Sequence, residues 1–282
     1  PRKGARVALF VTKGFRDLLQ LQRHDRKRIY DLFYQKPNPV VGRADTFEIE
    51  ERVTADGTVV TALDISAACS GFIYALTLAE GYLSTGRGEI ALVIATEKMS
   101  SIVDWEDRST CVLFGDGAGA VIVRKSSEER GILGTHHQSD GNLVELLYRP
   151  AGGAAIPMDE EVLRDRTHLL RMSGPEVFKH AVRAMADASK QALALSGWEL
   201  EDVDLVFPHQ ANIRIIKGTA RYMGLPMEKV FVNVDRYGNM SSATIPVAMD
   251  EAIEEGRLQR GMKLLLVAFG AGLTWGAMAV RW

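Results

Sequence analysis

The stretch "DISAACSGFIYAL" (64–76) places a cysteine where a strand pattern changes into a helix pattern. The residues before it, "VVTALDIS" (59–66), are β-rich, whereas "CSGFIYALTLAEGYLSTG" (69–86) has apolar side chains at helical spacing and ends at a glycine. Cys69 therefore lies at the predicted N-terminus of a helix, where the helix dipole and free backbone amides favour a thiolate. On this stretch alone, a small buried side chain and a nucleophile are equally good interpretations of Cys69.

The composition of the chain argues against several classes of protein. Its 282 residues suffice for one large domain or two of ordinary size, and the net charge of −2 argues against nucleic-acid binding through a global basic field. Two cysteines without a Cys-x-x-Cys pair exclude a disulfide scaffold and argue against a cysteine-based zinc site. No signal peptide is recognisable, and the longest apolar runs, such as "LLLVAFGAGL" (264–273), are too short to span a bilayer. These features predict a soluble, cytoplasmic protein with no membrane partner.

The order of the other predicted elements indicates an α/β fold built in layers. A buried-type strand, "EIALVIATE" (89–97), precedes a strand, a glycine-rich turn and a second strand in "STCVLFGDGAGAVIVRKS" (109–126). A long amphipathic helix (173–197) follows, with a serine N-cap and with proline and glutamate in its first turn. Beyond it the predicted elements are strand 203–210, helix 211–225, strand 229–234, helix 241–258 and strands 262–272 and 273–282.

Three polar residues, Cys69, His209 and Asn239, lie at the ends of predicted elements, which is where sites form in α/β folds. Each has a structural alternative, because His209 could be a buried histidine with satisfied hydrogen bonds and Asn239 could be a turn residue after a glycine. Cys111 is placed in a predicted strand and interpreted as an inert core residue. The cluster "GDGAGA" (115–120) does not match G-x-G-x-x-G and is interpreted as a tight turn with close backbone packing.

A cysteine, a histidine and an asparagine together can perform two kinds of chemistry. Cysteine hydrolases use the same order, and His209 follows Cys69 by 140 residues (209 − 69), inside the papain-like spacing of roughly 130–150. That class carries C-G-[SA]-C-[WY] around its nucleophile, however, which "AACSGFI" does not match. The second chemistry is acyl transfer to the cysteine, followed by attack on the acyl-enzyme of an enolate formed by decarboxylation. That enolate needs neutral hydrogen-bond donors, which histidine and asparagine supply, whereas a carboxylate in place of Asn239 would repel it.

Residues 62–282 resemble β-ketoacyl-acyl-carrier-protein synthase III, a condensing enzyme with the thiolase fold. The resemblance rests on "DISAACSGFIYAL", "FGDGAGAVIV", "PHQANIRII", "YGNMSSATIPVAMDEA" and "AFGAGLTWGAMAVRW", which occur in the family's order. It implies a thiolase-like layered α/β fold whose C-terminal half is complete and whose N-terminal half is truncated. It also implies condensation of an acetyl-CoA-like acyl-CoA with malonyl-acyl carrier protein to 3-ketoacyl-acyl carrier protein, the step that initiates fatty acid synthesis. A homodimer is implied as well.

The resemblance assigns roles to single residues. Cys69 is the implied acylated nucleophile, His209 and Asn239 support decarboxylation and condensation, and the backbone amides of Cys69 and Ala271 form the oxyanion hole. Further residues are implied in binding the coenzyme A thioester, namely Arg108, Phe114, Asn212 and Phe269. Arg214 is implied in contact with acyl carrier protein, an acidic partner. Coenzyme A enters as part of the substrate, so the resemblance implies no metal and no redox cofactor.

The N-terminal region departs from this family. Residues 4–60 instead resemble the N-terminal region of the hydantoinase A/5-oxoprolinase family, through "GARVALFVTKGFRDLLQLQR", "YDLFYQKPNPVV" and "FEIEERVTADGTVV". The two resemblances together imply a chimera with its junction near residues 58–63, and no active-site residue is carried over from the second family. The predicted divisions are a hydantoinase/oxoprolinase-like fragment (1–60), the remainder of the N-terminal thiolase-like half (61–158) and the C-terminal thiolase-like half (159–282). The alternative functions are an inactive or partly folded chimeric derivative, a cysteine hydrolase and a hydantoinase/oxoprolinase-related protein.

Overall fold

The chain divides into two compact units, Pro1–Asp64 and Ile65–Trp282. The computed structural model describes residues 9–12, 46–49, 61–128 and 130–282. In the first unit, strands β1 (Leu9–Thr12) and β2 (Thr46–Ile49) pair in parallel. The rest of the segment that resembles the hydantoinase A/5-oxoprolinase family lies outside the described residues. The predicted division of the remainder at residues 158 and 159 stays a prediction.

The second unit mixes helices and strands along the chain. Its α-helices are α1 (Gly71–Ser84), α2 (Glu160–Arg164), α3 (Gly174–Ser196), α4 (Ile213–Met223), α5 (Val234–Tyr237) and α6 (Thr244–Glu254). Its strands are β3 (Ile90–Lys98), β4 (Asp116–Arg124), β5 (Gly131–Ser139), β6 (Leu147–Tyr148), β7 (Arg171–Met172), β8 (Leu205–Pro208), β9 (Lys263–Gly270) and β10 (Thr274–Arg281). Within the described ranges, no helix is both long and apolar enough to cross a bilayer.

The main sheet has the strand order β5-β10-β9-β8. β10 runs antiparallel to both of its neighbours, and β8 runs parallel to β9. Alternate residues of β9 enter two different apolar clusters, with Leu265 and Val267 on one face of the sheet and Leu264 and Leu266 on the other. Because both faces are buried, the strand reads as an unbroken apolar run rather than as an alternating pattern.

The two faces of the main sheet are covered by different helices. α3 and α4 pack on one face through residues such as Ala181 and Ile216, and α1 and α6 pack on the other through residues such as Phe72 and Ile245. The antiparallel pair β3–β4 joins the second cluster, through Val93 among others. The predicted layered α/β fold is therefore confirmed.

The opposite face of the β3–β4 pair is apolar and exposed to solvent. Leu92 and Ile94 of β3 are 61% and 58% exposed, and Ile122 of β4, which lies opposite Leu92, is 72% exposed. Contiguous apolar side chains on a sheet face ordinarily mark a surface that packs against another polypeptide. Nothing among the described residues covers these three side chains.

The sequence predicts a strand, a turn and a second strand over residues 109–126. The first of these two strands does not form. The side chain of Asp107 accepts hydrogen bonds from the Ser109 amide at 2.9 Å and from the Thr110 hydroxyl at 2.8 Å, and this side-chain bonding forms a turn where the sequence suggested a strand. Cys111 consequently lies in a turn and is only half-buried, so its interpretation as a strand-embedded core residue is also wrong.

Two of the three glycines of "GDGAGA", Gly117 and Gly119, lie inside β4 rather than in a turn, and Gly115 directly precedes the strand. A Cβ atom at Gly117 would lie 2.2 Å from the sulfur of Met240, and one at Gly119 would lie 2.9 Å from the ring of Pro246. These glycines therefore let β4 approach the segment that carries Asn239 and the start of α6. The predicted close backbone packing is confirmed, whereas the predicted tight turn is not.

Other predicted elements can be compared with the structure, and the strand predicted before Cys69 is wrong over its described part, because residues 61–66 form no strand. The predicted strand at 229–234 is wrong, because Val230 forms only an isolated bridge to Val206 and the Asn233 amide donates to the Gln210 side chain at 3.0 Å instead of to a neighbouring strand. The predicted helix at 173–197 agrees with α3, which ends at Gly197 in the left-handed conformation that glycine adopts readily.

Candidate active site

Cys69 occupies a short helical turn, Ala68–Ser70, that leads directly into α1. Ala68 has a φ of 45°, which is unusual for a residue with a side chain, so the turn depends on outside contacts. The Ser70 hydroxyl donates to the Thr274 carbonyl at 3.0 Å, and the Thr274 hydroxyl lies 2.9 Å from the Ala67 carbonyl. These two bonds hold the cysteine turn against the first residue of β10.

The end of β9 lies directly against Cys69. A Cβ atom at Gly270 would lie 2.6 Å from the backbone nitrogen of Cys69 and 3.0 Å from its Cβ, so only glycine permits this approach. Ala271, the second predicted oxyanion-hole residue, is the next residue along, and its carbonyl lies 3.1 Å from the Thr274 hydroxyl. The cysteine turn and the "FGAG" turn therefore share Thr274 as a common support. The role of the Ala271 amide stays a prediction.

His209 immediately follows β8 and is 1% exposed. Its backbone amide donates to the Val267 carbonyl at 2.7 Å, which ties it to the neighbouring strand β9. In the ring, Nδ1 lies 2.7 Å from the hydroxyl oxygen of Thr244. Burial lowers the pKa of the imidazole to about 3, although a hydrogen bond with the Ser241 backbone acts in the opposite direction. The imidazole is therefore neutral at physiological pH.

Asn239 is held by the turn that precedes β4. Its amide donates to the Leu113 carbonyl at 2.8 Å, and its carbonyl accepts from the Gly115 amide at 2.9 Å, so its backbone pairs with the chain around Phe114. Its side-chain Oδ1 accepts from the backbone amide of Ser241 at 2.9 Å. This bond fixes the orientation of the side-chain amide, whose Nδ2 then serves as the hydrogen-bond donor.

Ser241 connects the three predicted catalytic residues. Its side chain hydrogen-bonds Cys69, its backbone hydrogen-bonds the His209 imidazole, and its amide donates to Asn239 as described above. It adopts a φ of 47°, a second unusual backbone conformation in the site. The structure thus brings together residues that lie far apart in the sequence. The sequence offers no signal for Ser241 beyond its position two residues after Asn239.

The Cys69 thiol is neutral in the folded protein. Burial raises the pKa of this thiol to about 12 and repulsion from Glu97 adds to the effect, while hydrogen bonds with the Ser241 side chain and the Cys69 backbone lower it. The prediction that Cys69 is held as a thiolate at the helix N-terminus is therefore wrong. A helix terminus stabilises a charge by ~0.3–1 kcal/mol at exposed positions, whereas burying a charge costs several kcal/mol.

Glu97 is a second residue of the site that sequence reasoning missed. Its carboxylate accepts hydrogen bonds from the amide of Ser242, at 3.2 Å, and from the Ser242 hydroxyl. It therefore holds the segment that carries Asn239 and Ser241, while its charge acts on Cys69. The available signal was a carboxylate near the end of an otherwise apolar strand pattern.

We expect Glu97→Gln to lower the pKa of Cys69, because the substitution removes the negative charge that opposes a thiolate while keeping an oxygen for Ser242. The rate of alkylation of Cys69 by iodoacetamide, followed by mass spectrometry across a pH series, measures this change. The alkylation profile should move to lower pH, with a rate at pH 8 that is roughly several-fold higher. Half-buried Cys111 serves as the internal reference, and a Cys69 profile that stays in place or moves to higher pH contradicts the prediction.

The other predicted binding residues occupy different surroundings. Phe269 is buried, stacks on Trp275 with ring centroids 6.3 Å apart, and shares an apolar cluster with Phe114. Arg108 and Arg214 are exposed. The side-chain oxygen of Asn212 accepts from the amides at the start of α4, at 3.0 Å each, so this residue caps the helix. The predicted substrate and carrier-protein contacts of these residues stay predictions.

The second unit also contains clusters of charge outside the site. Asp104 is buried and bridged by Arg166 and Arg171, which ties the segment after β3 to the start of β7. In the part of the chain that the structure describes, no group of three or more His, Cys, Asp and Glu side chains is arranged to hold a metal ion.

Comparisons of sequence and structure with known proteins show what this chain is similar to. The family model of 3-oxoacyl-[acyl-carrier-protein] synthase III matches residues 63–141, and the model of the C-terminal part of the same family matches residues 193–282. The chain is 51% identical over 221 residues to β-ketoacyl-[acyl-carrier-protein] synthase III of Xanthomonas axonopodis pv. citri, covering 78% of this chain and 67% of that protein. It is 48% identical over 234 residues to the protein of the same name from Aquifex aeolicus, covering 83% and 70% of the two chains. The crystal structure of 3-oxoacyl-[acyl-carrier-protein] synthase III from Aquifex aeolicus matches with a TM-score of 0.72 at 50% identity, covering 79% of this chain and 68% of that one.

Proposed function

The chain belongs to the 3-oxoacyl-[acyl-carrier-protein] synthase III family of acyltransferases, and we propose that it condenses an acyl-CoA with malonyl-acyl carrier protein. The products are 3-ketoacyl-acyl carrier protein, CO₂ and coenzyme A, and the reaction initiates fatty acid synthesis. The observation that supports this proposal most directly is the connection of Cys69, His209 and Asn239 through Ser241. A cysteine hydrolase, the alternative with the same residue order, is not the family to which the chain belongs.

In the first half of the reaction, the sulfur of Cys69 attacks the thioester carbonyl of acyl-CoA. A new carbon–sulfur bond forms at Cys69, the bond to the coenzyme A sulfur breaks, and the thiol proton leaves through the neutral imidazole of His209 with the released coenzyme A. The neutral thiol makes such a proton acceptor necessary. The backbone amides of Cys69 and Ala271 would stabilise the oxyanion, because Gly270 allows the end of β9 to lie against Cys69.

In the second half, the malonyl thioester loses CO₂ and leaves an enolate. The side-chain Nδ2 of Asn239 is oriented by the bond between Oδ1 and Ser241, so it can donate to the developing oxyanion without reorganisation. The enolate carbon then attacks the acyl group on Cys69, the carbon–sulfur bond breaks, and the thiolate takes up a proton. The buried surroundings of these residues strengthen each electrostatic contact.

A two-step labelling experiment tests the proposed function. The purified chain is incubated with radiolabelled acetyl-CoA, separated from free label, and then given malonyl-acyl carrier protein. We expect label to be held on the protein as a thioester and then to appear in 3-ketoacyl-acyl carrier protein, and chain alkylated beforehand with iodoacetamide should take up none. Rapid release of free acetate would indicate a hydrolase. A folded chain that takes up no label would indicate an inactive derivative.

Several features of the protein are proposed on the resemblance alone. The proposed substrates are acyl-CoA and acyl carrier protein, with Arg108, Phe114, Asn212 and Phe269 on the coenzyme A side and Arg214 on the carrier-protein side. A homodimer, a cytoplasmic location and a reaction without metal or redox cofactor belong to the same proposal. Its last element is a chimeric origin, in which residues 4–60 derive from the N-terminal region of the hydantoinase A/5-oxoprolinase family.

A further inference from the structure

Glu251, near the C-terminus of α6, carries a largely buried carboxylate. Its side chain is 12% exposed, and both of its oxygens are bound by side chains from the stretch just before Asn239. Oε2 accepts a hydrogen bond from Nδ2 of Asn233 at 2.8 Å, and Oε1 accepts one from the Tyr237 hydroxyl at 3.1 Å. The Arg236 guanidinium forms an ion pair with the same Oε1. A single carboxylate therefore gathers three side chains.

These three side chains surround α5, which is only four residues long. Asn233 directly precedes the helix, and Arg236 and Tyr237 are its last two residues. None of the four helical residues is buried, and Val234 alone among them is partly buried against an apolar cluster. A single helical turn is not stable by itself and depends on tertiary contacts. Glu251 therefore supplies polar contacts that hold α5 against α6.

The position of α5 is coupled to that of Asn239. Only Gly238 separates them, and the Gly238 amide donates to the Val234 carbonyl at 2.9 Å. A Cβ atom at Gly115 would lie 2.3 Å from the carbonyl oxygen of Tyr237, so the last residue of α5 packs directly against Gly115. The Gly115 amide in turn donates to the Asn239 carbonyl. A shift of α5 would therefore displace both Asn239 and its backbone partner.

The end of β8, by contrast, has anchors of its own. The backbone amide of Asn233 binds Oε1 of Gln210, the residue after His209, at 3.0 Å. Nε2 of Gln210 also donates to the carbonyls of Pro208 and Phe231, at 2.8 and 3.1 Å. These last two bonds do not involve Glu251 or α5. The chain at His209 therefore stays in place when α5 moves, whereas the chain at Asn239 does not.

We propose that Glu251 is a positioning residue whose carboxylate fixes α5 and thereby the placement of Asn239. The catalytic consequence rests on the proposed function, in which Asn239 donates a hydrogen bond to the enolate. The bond between Asn239 and Ser241 orients the side-chain amide, and the contacts of Glu251 set where the backbone that carries this amide lies. Loss of the carboxylate therefore affects condensation more than acylation of Cys69.

Two substitutions on α6 separate these contacts from the charge of the helix. Glu251→Gln keeps the shape of the side chain but leaves one acceptor oxygen where three side chains donate. Glu254→Gln removes an equal charge from an exposed position of the same helix. We expect Glu251→Gln to lower the single-turnover rate of condensation by about tenfold and to keep acylation of Cys69 within about twofold, because a small displacement of a reacting group has an effect of this order. Glu254→Gln should leave both rates unaltered.

Hydrogen exchange followed by mass spectrometry reads the hold on α5 without any substrate. We expect peptides that contain residues 233–239 to exchange faster in Glu251→Gln than in the original chain and in Glu254→Gln, while peptides from β9 exchange as before. Tyr237→Phe removes one donor from an exposed side chain and should show the same pattern to a smaller extent, which keeps the test usable if Glu251→Gln folds poorly.

Two results would overturn the proposal. One is unchanged exchange over residues 233–239 in both Glu251→Gln and Tyr237→Phe. The other is an equal loss of acylation and condensation in a folded Glu251→Gln protein, which would show a general structural role. Because the exchange measurement needs no turnover, it remains decisive if the original chain does not condense, so failure of the proposed function is distinguished from failure of this proposal.

Discussion

Replacing Cys69 with serine is expected to lower both acyl-enzyme formation and condensation by roughly a thousandfold or more, since the site holds no other thiol to take up the acyl group and condensation requires the acyl-enzyme. A serine hydroxyl can keep the hydrogen bond with Ser241, so the local structure should persist. It is, however, a much weaker nucleophile than a thiol next to a neutral imidazole. Intact-protein mass spectrometry after exposure to acetyl-CoA measures the adduct, and transfer of label to malonyl-acyl carrier protein measures the condensation.

Cys111→Ser is the matched control for this experiment. Cys111 is half-buried in a turn, and the same change there removes a thiol of similar type outside the group connected by Ser241. We expect the Cys111→Ser protein to form the adduct and to condense at rates near those of the original chain. An acetyl adduct on the Cys69→Ser protein, or loss of the adduct in Cys111→Ser, would place the nucleophile elsewhere.

The sequence predicted the catalytic trio because its members are polar residues at the ends of recognisable elements. The strand before His209 and the helix after Cys69 both exist, and a short apolar run indicated the first and helical spacing the second. The same approach could not find Ser241 or Glu97. Their importance comes from contacts with residues distant in the chain, including 145 positions between Glu97 and Ser242, and no local pattern encodes such a contact.

The incorrect predictions have local causes that only coordinates reveal. The apolar run after Thr110 suggested a strand, but the side-chain bonds of Asp107 bend the chain into a turn. The glycines of "GDGAGA" suggested a turn, but Gly117 and Gly119 are needed where β4 passes Met240 and Pro246. A local side-chain contact in the first case and a tertiary contact in the second outweighed the intrinsic preference of the residues.

The electrostatics of the site show a further limit of sequence reasoning. A cysteine at a helix N-terminus indicates a stabilised thiolate, yet burial raises the pKa of Cys69 and lowers the pKa of His209. Both shifts favour the uncharged forms, so the resting pair is a thiol and an imidazole rather than a thiolate and an imidazolium. Acylation of the resting pair therefore requires a proton transfer from the Cys69 thiol as its sulfur attacks the thioester.

Replacing Asn239 with aspartate is expected to lower condensation by roughly 10²–10³-fold while Cys69 still becomes acylated. The substitution is nearly isosteric, and one carboxylate oxygen can still accept the hydrogen bond from the Ser241 amide. The other oxygen replaces the Nδ2 donor, so the enolate would meet a negative charge in place of a hydrogen bond. Single-turnover assays separate the two steps, with acylation measured by mass spectrometry and decarboxylation by release of labelled CO₂ from malonyl-acyl carrier protein.

The pH dependence of this variant provides a second, independent readout. Burial raises the pKa of a carboxyl group, and a protonated carboxyl can donate a hydrogen bond to the enolate. Condensation by Asn239→Asp should therefore recover in part as the pH is lowered, in the direction opposite to a loss caused by unfolding. Gln191→Glu at exposed Gln191 of α3 adds an equal charge outside the group connected by Ser241 and should leave both steps unaltered. Equal losses of acylation and condensation in Asn239→Asp would show that this residue supports the fold of the site rather than the enolate.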